Sequence, residues 1–212
     1  MSDANRTRNP GIHGSTTGRS AVLWLLGPTV TAVVLLALGG EPLRLTLRYE
    51  RDAVLQAGQY WRLLSCHFVH GSTTHALLNL AGLVLIAALF PKHYSARAWV
   101  TISLSSIAAI AVGFIWNEPQ LDWYVGLSGV LHGLLAAGII AWWRSEPRML
   151  AFALTAIFAG KLAWEQWVGA LPLSGDLAVI VDAHLYGAIG GALAGAALQI
   201  RDHGWRRIVR PL

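Results

Sequence analysis

The chain has 212 residues, of which 55% are hydrophobic and 13% are charged. A soluble domain carries about a quarter charged residues, so this composition excludes an ordinary soluble domain and indicates a membrane protein. The single cysteine, Cys66, excludes an internal disulfide and a cysteine-based metal site. The net charge of +5 is spread between apolar segments without forming a basic face. We therefore expect lipid head groups, and no nucleic acid, to be its partners.

The polar N-terminal segment precedes a series of apolar stretches. Residues 1–20 are predicted to be a disordered cytoplasmic tail, because Gly, Ser, Thr and Asn are frequent in them. A signal peptide is not expected, since the apolar run that follows is too long and lacks a small-residue cleavage site. Six stretches close to the ~20 residues that cross a bilayer follow. They predict an all-α membrane protein with a six-helix domain over 21–200 and a basic cytoplasmic tail over 201–212. The predicted spans are 21–40, 72–90, 97–116, 124–143, 149–168 and 177–199.

The distribution of lysine and arginine predicts the orientation. Eleven of these residues lie in the two termini and in the turns after spans 2 and 4, whereas four lie in the stretch before span 2. Basic residues favour the cytoplasmic side, so both termini are expected there. The stretch 41–62 is too polar to span but partly apolar, which fits either a segment lying on the outer leaflet or an ordinary loop.

Three of the predicted spans carry polar side chains near their outer ends. His75 and Asn79 lie four residues apart at the start of span 2, and Ser128 and His132 lie four apart at the start of span 4. His184 is about two turns into span 6. At ~1.5 Å per residue, all five lie roughly 5–15 Å below the outer surface. This shared depth favours an active site over scattered polar residues of the core.

Small residues predict close contact between spans 4 and 6. Glycines at helical spacing follow His184, and span 4 has a small face of its own, so the two backbones can approach closely. Such contact would bring Ser128 Oγ within hydrogen-bonding reach of a His184 ring nitrogen, as a serine–histidine pair requires. Alternatively, the glycines serve packing alone and Ser128 is a polar filler. The residues are Gly187, Gly191 and Gly195 on span 6, and Gly126, Gly129, Gly133 and Ala137 on span 4.

The combination of these motifs resembles the rhomboid intramembrane serine proteases over roughly residues 58–197. The resemblance implies a six-helix bundle with a water-filled cavity open to the outer side, and a serine–histidine dyad without a third acid. It is carried by Trp61-Arg62, His70, His75, Asn79, Gly126-Leu127-Ser128-Gly129, Ala183-His184, Gly187 and Gly191.

The resemblance also implies a role for each residue at the site. Ser128 would be the nucleophile and His184 the general base, while His75, Asn79 and the Ser128 backbone N–H would form the oxyanion hole. Arg62 and His70 match family positions with structural roles in the first loop. No cofactor or metal is expected. The implied activity is cleavage of membrane protein substrates near the periplasmic side of the bacterial inner membrane.

One departure from the family pattern indicates a branch. Rhomboids commonly place a tyrosine four residues after the nucleophile, where its ring packs on the catalytic histidine, but here the position is His132. The run from Gly126 to Gly133 is similar to the rhombosortase branch, which is associated with substrates that end in Gly-Gly, a transmembrane helix and a basic tail. The sequence leaves open whether His132 stacks on His184, hydrogen-bonds to it or fills space.

Other polar residues have simpler interpretations. Asp182 lies two residues from His184 and points to another side of the helix, which favours a cap contact near the outer surface. Lys161 and Glu165 are four apart on span 5 and most simply form an ion pair near the interface, with gating or substrate-tail recognition as the alternative.

Three alternatives to this function remain. One is a general rhomboid protease of other single-span substrates, and another is a non-proteolytic relative that acts as a membrane chaperone. The third is a metal-dependent protein in which five histidines converge, namely His67, His70, His75, His132 and His184. No His-Glu-x-x-His run is present and no carboxylate shares a helix face with these histidines at ligand spacing, which argues against a metal.

Overall fold

The computed structural model describes residues 16–171 and 179–209. Within these ranges it contains six helices of 17 to 29 residues and several shorter elements. The long helices are α1 (Thr16–Leu38), α5 (Thr73–Leu89), α6 (Ala96–Trp116), α7 (Ser128–Ser145), α8 (Arg148–Trp167) and α9 (Val181–Val209). The shorter elements are α2 (Gly40–Leu47), β1 (Tyr49–Glu50), α3 (Arg51–Leu55), α4 (Arg62–Ser65) and β2 (Trp123–Tyr124).

Each of the six predicted spans corresponds to one of the long helices, so their helical character is confirmed. By length and hydropathy, two helices of the described ranges, Ala96–Trp116 and Val181–Arg201, are suited to cross a membrane, and Leu26–Leu38 and Thr73–Leu89 are shorter apolar helices. Large apolar side chains are exposed along the outer faces of the long helices, as expected for surfaces that contact lipid. They include Leu77, Leu104, Phe152, Ile157 and Leu193. The six-span count and the location of the termini stay predictions.

The ends of the chain differ in part from the predicted tails. Helix α1 begins at Thr16, inside the segment predicted to be disordered, while residues 1–15 lie outside the described residues. Residues 16–20 extend the apolar helix by little more than one turn, because a helix that is already formed gains a hydrogen bond with each further residue. At the other end, α9 extends to Val209, well into the segment 201–212.

The predicted start of span 4 is wrong by four residues. The sequence placed it at 124, but β2 occupies 123–124 and the helix begins at Ser128. Gly126 has a φ of 119°, which non-glycine residues rarely adopt and which no α-helix contains. This residue therefore turns the chain, and Ser128 becomes the first residue of α7.

Helix α7 forms the centre of the fold, and its contact with α9 depends on glycine. A Cβ at Gly187 would overlap the carbonyl oxygen of Gly129, and a Cβ at Gly191 would overlap the backbone of Gly133. The two helices therefore meet at backbone distance along the predicted small-residue faces. This confirms the predicted packing of spans 4 and 6.

The stretch 41–62 folds into α2, β1 and α3 above the long helices. Strand β1 pairs antiparallel with β2, with Tyr49 opposite Tyr124. Arg62, which is 8% exposed, donates from Nη1 to the carbonyl oxygens of Leu45 at 2.9 Å and Arg48 at 2.8 Å. A buried guanidinium thus satisfies backbone groups that would otherwise lack partners in the loop.

Candidate active site

The predicted nucleophile and base lie at hydrogen-bonding distance from each other. Ser128 begins α7, and Ser128 Oγ lies 2.9 Å from His184 Nε2. The predicted position of His184 about two turns into its helix is wrong, because α9 begins at Val181 and His184 is in its first turn. The distance between Oγ and Nε2 depends on the glycine contact one residue later on α7, because bulkier side chains between α7 and α9 would separate the two groups. His184 is 4% exposed, so its orientation is held by the surrounding helices.

The other ring nitrogen of His184 faces a carboxylate that the sequence did not assign to the site. Glu165 on α8 places both carboxylate oxygens 3.0 Å from His184 Nδ1. Its side chain is 3% exposed. The arrangement therefore differs from the expected dyad without a third acid. The sequence could not reveal this, because nothing in it states which face of α8 packs against α9.

The predicted ion pair between Lys161 and Glu165 is present, but it lies inside the site. Lys161 Nζ is 2.6 Å from Glu165 Oε2. The same ammonium hydrogen-bonds to His132 Nε2 and lies 3.2 Å from His184 Nδ1. The sequence interpretation did not connect this pair with the catalytic groups, but one turn of α8 directs both side chains toward His184.

His132 stacks on His184 and also hydrogen-bonds to the backbone. The two imidazole rings have centroids 4.0 Å apart and planes 14° apart, and Phe158 covers His132 from α8. His132 Nδ1 lies 2.7 Å from the carbonyl oxygen of Ser128. The question that the sequence left open is thereby answered, since His132 packs where rhomboids commonly have a tyrosine.

These contacts determine where the protons lie. A carbonyl oxygen only accepts, so His132 Nδ1 carries hydrogen and His132 Nε2 accepts from the Lys161 ammonium. A carboxylate only accepts, so His184 Nδ1 donates to Glu165 and His184 Nε2 accepts from the Ser128 hydroxyl. The bonds form a closed circuit that starts at the carbonyl and ends at the hydroxyl of Ser128. We call the circuit through Ser128, His132, Lys161, Glu165 and His184 the hydrogen-bonded ring.

Three members of the hydrogen-bonded ring also have the chemistry of metal ligands. Potential ligand atoms of His132, Glu165 and His184 lie within 4.8 Å of one another, so the fold supplies the carboxylate that the sequence pattern lacked. The ammonium of Lys161 already contacts all three residues. A charged lysine in this position repels a divalent cation and fills the space that it would need.

The expected oxyanion-hole residues line the same cavity as Ser128. His75 is oriented by the N-cap of α5, where Ser72 Oγ accepts from the His75 N–H at 3.1 Å. The His75 ring lies so close to Gly126 that a Cβ there would approach it to 2.7 Å. Asn79, on the next turn, donates from Nδ2 to the His75 carbonyl oxygen at 3.1 Å, which leaves its second amide hydrogen for another acceptor.

The cavity in front of Ser128 has a volume of about 670 Å³ and lies between α5, α7, α8 and α9. Its polar part contains His75, Asn79 and members of the hydrogen-bonded ring, and its remaining wall is apolar. The lining thus combines a few polar groups with a mostly apolar wall, as ligand-binding pockets commonly do. The apolar wall consists of Leu78, Gly82, Leu85, Ile86, Leu89, Leu131, Leu135 and Leu154.

Two histidines of the preceding loop support the site without joining the hydrogen-bonded ring. The ring of His70 meets that of His75 edge to face, with centroids 5.0 Å apart. His67 Nδ1 donates to the Gly126 carbonyl oxygen at 3.4 Å. Burial lowers the pKa of both His67 and His70 to about 4, so both are neutral at physiological pH. Trp61 is half exposed beside Arg62 and lies away from the cavity.

Sequence reasoning missed Glu165 as a partner of His184, although a signal was present. Ionisable side chains inside a membrane span are costly and usually serve a functional site. Lys161 and Glu165 are the charged residues within predicted span 5. Both lie within about two turns of the outer end of predicted span 5, which is the depth that the sequence assigned to Ser128 and His184.

Known proteins are similar to this chain over most of its length. A family model described as a rhomboid domain matches residues 57–201. The chain is 27% identical over 196 residues to rhomboid protease GlpG of Klebsiella pneumoniae subsp. pneumoniae, covering 85% of this chain and 66% of that protein. GlpG of Salmonella typhi is 27% identical over 182 residues, which cover 80% of this chain and 60% of that protein. RHOMBOID-like protein 4 of Arabidopsis thaliana is 27% identical over 186 residues, which cover 85% of this chain and 42% of that protein. The chain thus spans less than two thirds of the length of these relatives.

Proposed function

This chain belongs to the rhomboid family, and from that premise we propose that it is an intramembrane serine protease. The observation that carries the proposal is the 2.9 Å separation of Ser128 Oγ and His184 Nε2 beside a cavity of about 670 Å³. A hydroxyl becomes a nucleophile when an adjacent base accepts its proton, and this pair meets that requirement.

The reaction follows the acyl-transfer scheme. Ser128 Oγ attacks the carbonyl carbon of the scissile bond while His184 Nε2 takes the hydroxyl proton. His184 then gives that proton to the leaving amine, and the acyl group remains on Ser128. Water, activated by the same nitrogen, attacks the ester and releases the second product.

The negative charge that develops on the substrate oxygen needs donors. We assign this role to the Ser128 backbone N–H, the side chain of Asn79 and the side chain of His75. The first N–H groups of a helix lack intrahelical acceptors, so the start of α7 offers a donor directly beside the nucleophile. His75 and Asn79 face the same cavity from α5.

The substrates we propose are membrane proteins with a transmembrane helix, cleaved near the periplasmic side of the bacterial inner membrane. We assign the chain to rhombosortase-type processing of C-terminal Gly-Gly, helix and basic-tail segments. The presence of His132 on the ring of His184 supports this branch. A Gly-Gly pair suits the site because it lacks side chains that would keep its backbone away from Ser128.

Labelling of the purified full chain with a fluorophosphonate probe in proteoliposomes tests the hydrolase chemistry. We expect labelling at Ser128, its loss in Ser128→Ala, and a loss of about 10³-fold in its rate in His184→Ala. Ser103→Ala is the matched control, because that hydroxyl bonds to the Trp99 carbonyl oxygen of its own helix. Equal labelling of wild type and Ser128→Ala would refute the protease proposal, and loss of activity with a chelator would favour the metal alternative.

The same proteoliposomes test the substrate class. One reporter would end in Gly-Gly, an apolar helix and a basic tail, and a second would carry Val-Val in place of Gly-Gly. Preferential cleavage of the first reporter is the expected result. Equal cleavage of both would favour a general rhomboid protease, and folded protein that cleaves neither and resists the probe would favour a chaperone.

A further inference from the structure

We propose that Glu165 is the third member of a serine–histidine–glutamate triad, held in place by Lys161 and His132 through the hydrogen-bonded ring. This inference rests on the proposed protease function. Glu165 does not touch the substrate; it is a positioning residue that acts through His184. Both of its carboxylate oxygens lie 3.0 Å from His184 Nδ1, on the side of the ring opposite Ser128.

The carboxylate selects the reactive form of His184. With Nδ1 donating to Glu165, the neutral imidazole has its lone pair on Nε2, where Ser128 Oγ lies 2.9 Å away. The opposite tautomer would place hydrogen on Nε2 and leave no base for the hydroxyl. A buried acceptor at Nδ1 therefore keeps the histidine ready to take the serine proton.

The carboxylate also stabilises the charge formed in the reaction. When the O–H bond of Ser128 breaks and an N–H bond forms at Nε2, His184 becomes an imidazolium. Its Nδ1 hydrogen stays in place, so the positive charge faces Glu165 directly. Attraction between charges is stronger in a poorly solvated site than in water, and Glu165 is 3% exposed. The proton at Nε2 later leaves with the amine product.

Lys161 allows a carboxylate to remain ionised at this depth. An isolated buried carboxylate is costly, whereas the ammonium at 2.6 Å neutralises it. His132 then holds Lys161 through Nε2 while its Nδ1 is bound to the Ser128 carbonyl oxygen at 2.7 Å. The support for Glu165 thus begins on the nucleophile itself, which keeps helices α7, α8 and α9 in register.

A simple ion pair does not account for this arrangement. Lys161 and Glu165 are one turn apart and can pair on any face of α8. Pairing alone requires neither contact of both carboxylate oxygens with His184 nor the stack of His132 on the same ring at 4.0 Å. The direction of the pair toward His184 is what assigns Glu165 to the triad.

Glu165→Gln is the decisive variant because it removes the charge at constant size. The amide oxygen of the new side chain stays on Lys161, so its NH₂ group faces Nδ1 and enforces the inactive tautomer of His184. With the fluorophosphonate probe we expect kinact to fall by about 10³-fold with KI within a factor of two. The matched control is Glu118→Gln, since Glu118 accepts from Tyr186 of α9 at 2.7 Å outside the hydrogen-bonded ring. Its kinact should stay within twofold of wild type.

Glu165→Asp distinguishes positioning from a structural role. Aspartate restores the charge, so the kinact of Glu165→Asp should be at least tenfold higher than that of Glu165→Gln, while the thermal stability of the two variants is the same. If Glu165→Gln folds and reacts within threefold of wild type, the triad is refuted while the protease proposal stands. If wild type itself does not react at Ser128, the protease proposal fails first.

A second variant covers the case in which Glu165→Gln does not fold. His132→Phe keeps the aromatic stack on His184 but removes the acceptor for Lys161. We expect kinact to fall about tenfold with KI unchanged. The substitution interrupts the hydrogen-bonded ring between residue 132 and Lys161, while the contact between Ser128 and His184 remains. Unchanged kinact in folded His132→Phe would overturn the support role of the hydrogen-bonded ring.

Discussion

His67 illustrates how a single buried side chain supports the segment before the nucleophile. It is 1% exposed and donates from Nδ1 to the carbonyl oxygen of Gly126. The N–H of Gly126 in turn donates to the Cys66 carbonyl oxygen at 2.9 Å. Both polar groups of Gly126 are therefore held by adjacent residues of the loop before α5. This fixes the turn that brings Ser128 to the start of α7.

The low pKa of His67 predicts a loss of stability in mild acid. Burial lowers its pKa from 6.5 to about 4, so between these values the unfolded chain binds a proton that the folded chain excludes. The free energy of unfolding contributed by this group is therefore complete above pH 6.5 and decreases as the pH falls toward 4. The decrease reaches at most about 3 kcal/mol.

Thermal unfolding in detergent between pH 7.5 and 4.5 measures this effect. Wild type should lose stability across the window, and His67→Gln should show a shallower slope because it cannot titrate. His70 has a pKa lowered in the same direction and accounts for part of the remaining slope. Identical slopes for wild type and His67→Gln would show that His67 does not contribute.

At the scale of elements, the contact between α7 and α9 sets the geometry of the site. Gly129 and Gly133 on α7 meet Gly187 and Gly191 on α9 with their backbones in contact. The nucleophile lies one residue before this contact on α7, and His184 lies three residues before it on α9. Close packing and catalytic distance are therefore properties of the same interface.

Replacing one glycine of this interface with a larger residue should disrupt both the packing of α7 against α9 and the distance between Ser128 and His184. In Gly191→Ala the new methyl group would overlap the backbone of Gly133, which cannot move aside as a flexible side chain would. We expect a destabilisation of about 2 kcal/mol and slower probe labelling of Ser128. Gly160→Ala on α8 is the control, because a Cβ there meets nothing within 4 Å. It should be neutral or slightly stabilising in thermal unfolding. Equal stability of the two variants would contradict the backbone contact.

At the scale of the whole molecule, the polar groups of the site lie together near the starts of α5, α7 and α9 and the end of α8. Tyr124 of β2 and Ser128 at the start of α7 line the cavity, and leucines such as Leu89 and Leu135 line it further along the helices. The site therefore lies toward one side of the membrane that the six predicted spans would cross. The predicted orientation, which has the basic turns in the cytoplasm, would place the site in the periplasmic half of the bilayer.

Cysteine accessibility tests that orientation. Cys66 is buried, so added cysteines can be labelled selectively with a membrane-impermeant maleimide. In intact spheroplasts we expect labelling of Gln56→Cys and Gln120→Cys, and protection of Lys92→Cys and Arg148→Cys until the membrane is opened. All four native side chains are exposed, so a difference in labelling between the variants would not result from burial within the protein. Labelling of Lys92→Cys in intact spheroplasts would contradict the predicted orientation.

The helices and the serine–histidine contact were predictable because each has a local signal. Apolar length identifies a span, and glycine spacing identifies the face that another helix can approach. Gly126 shows the limit of such signals, since its apolar neighbours gave no sign that the chain turns there before α7 begins. Glu165 shows a second limit. Its charge was visible in the sequence, but its partner depends on the rotation of α8 about its own axis.

The amino-acid sequence by itself determined the long helices, the small-residue faces of spans 4 and 6, and the residues that carry the rhomboid resemblance. These are properties of single segments, encoded by hydropathy and spacing along the chain. Only the tertiary structure decided that His132 stacks on His184 and that the Lys161–Glu165 pair faces the same imidazole. The reason is physical: several faces of a helix can bury an ion pair, and the packing of α8 against α7 and α9 selects one of them.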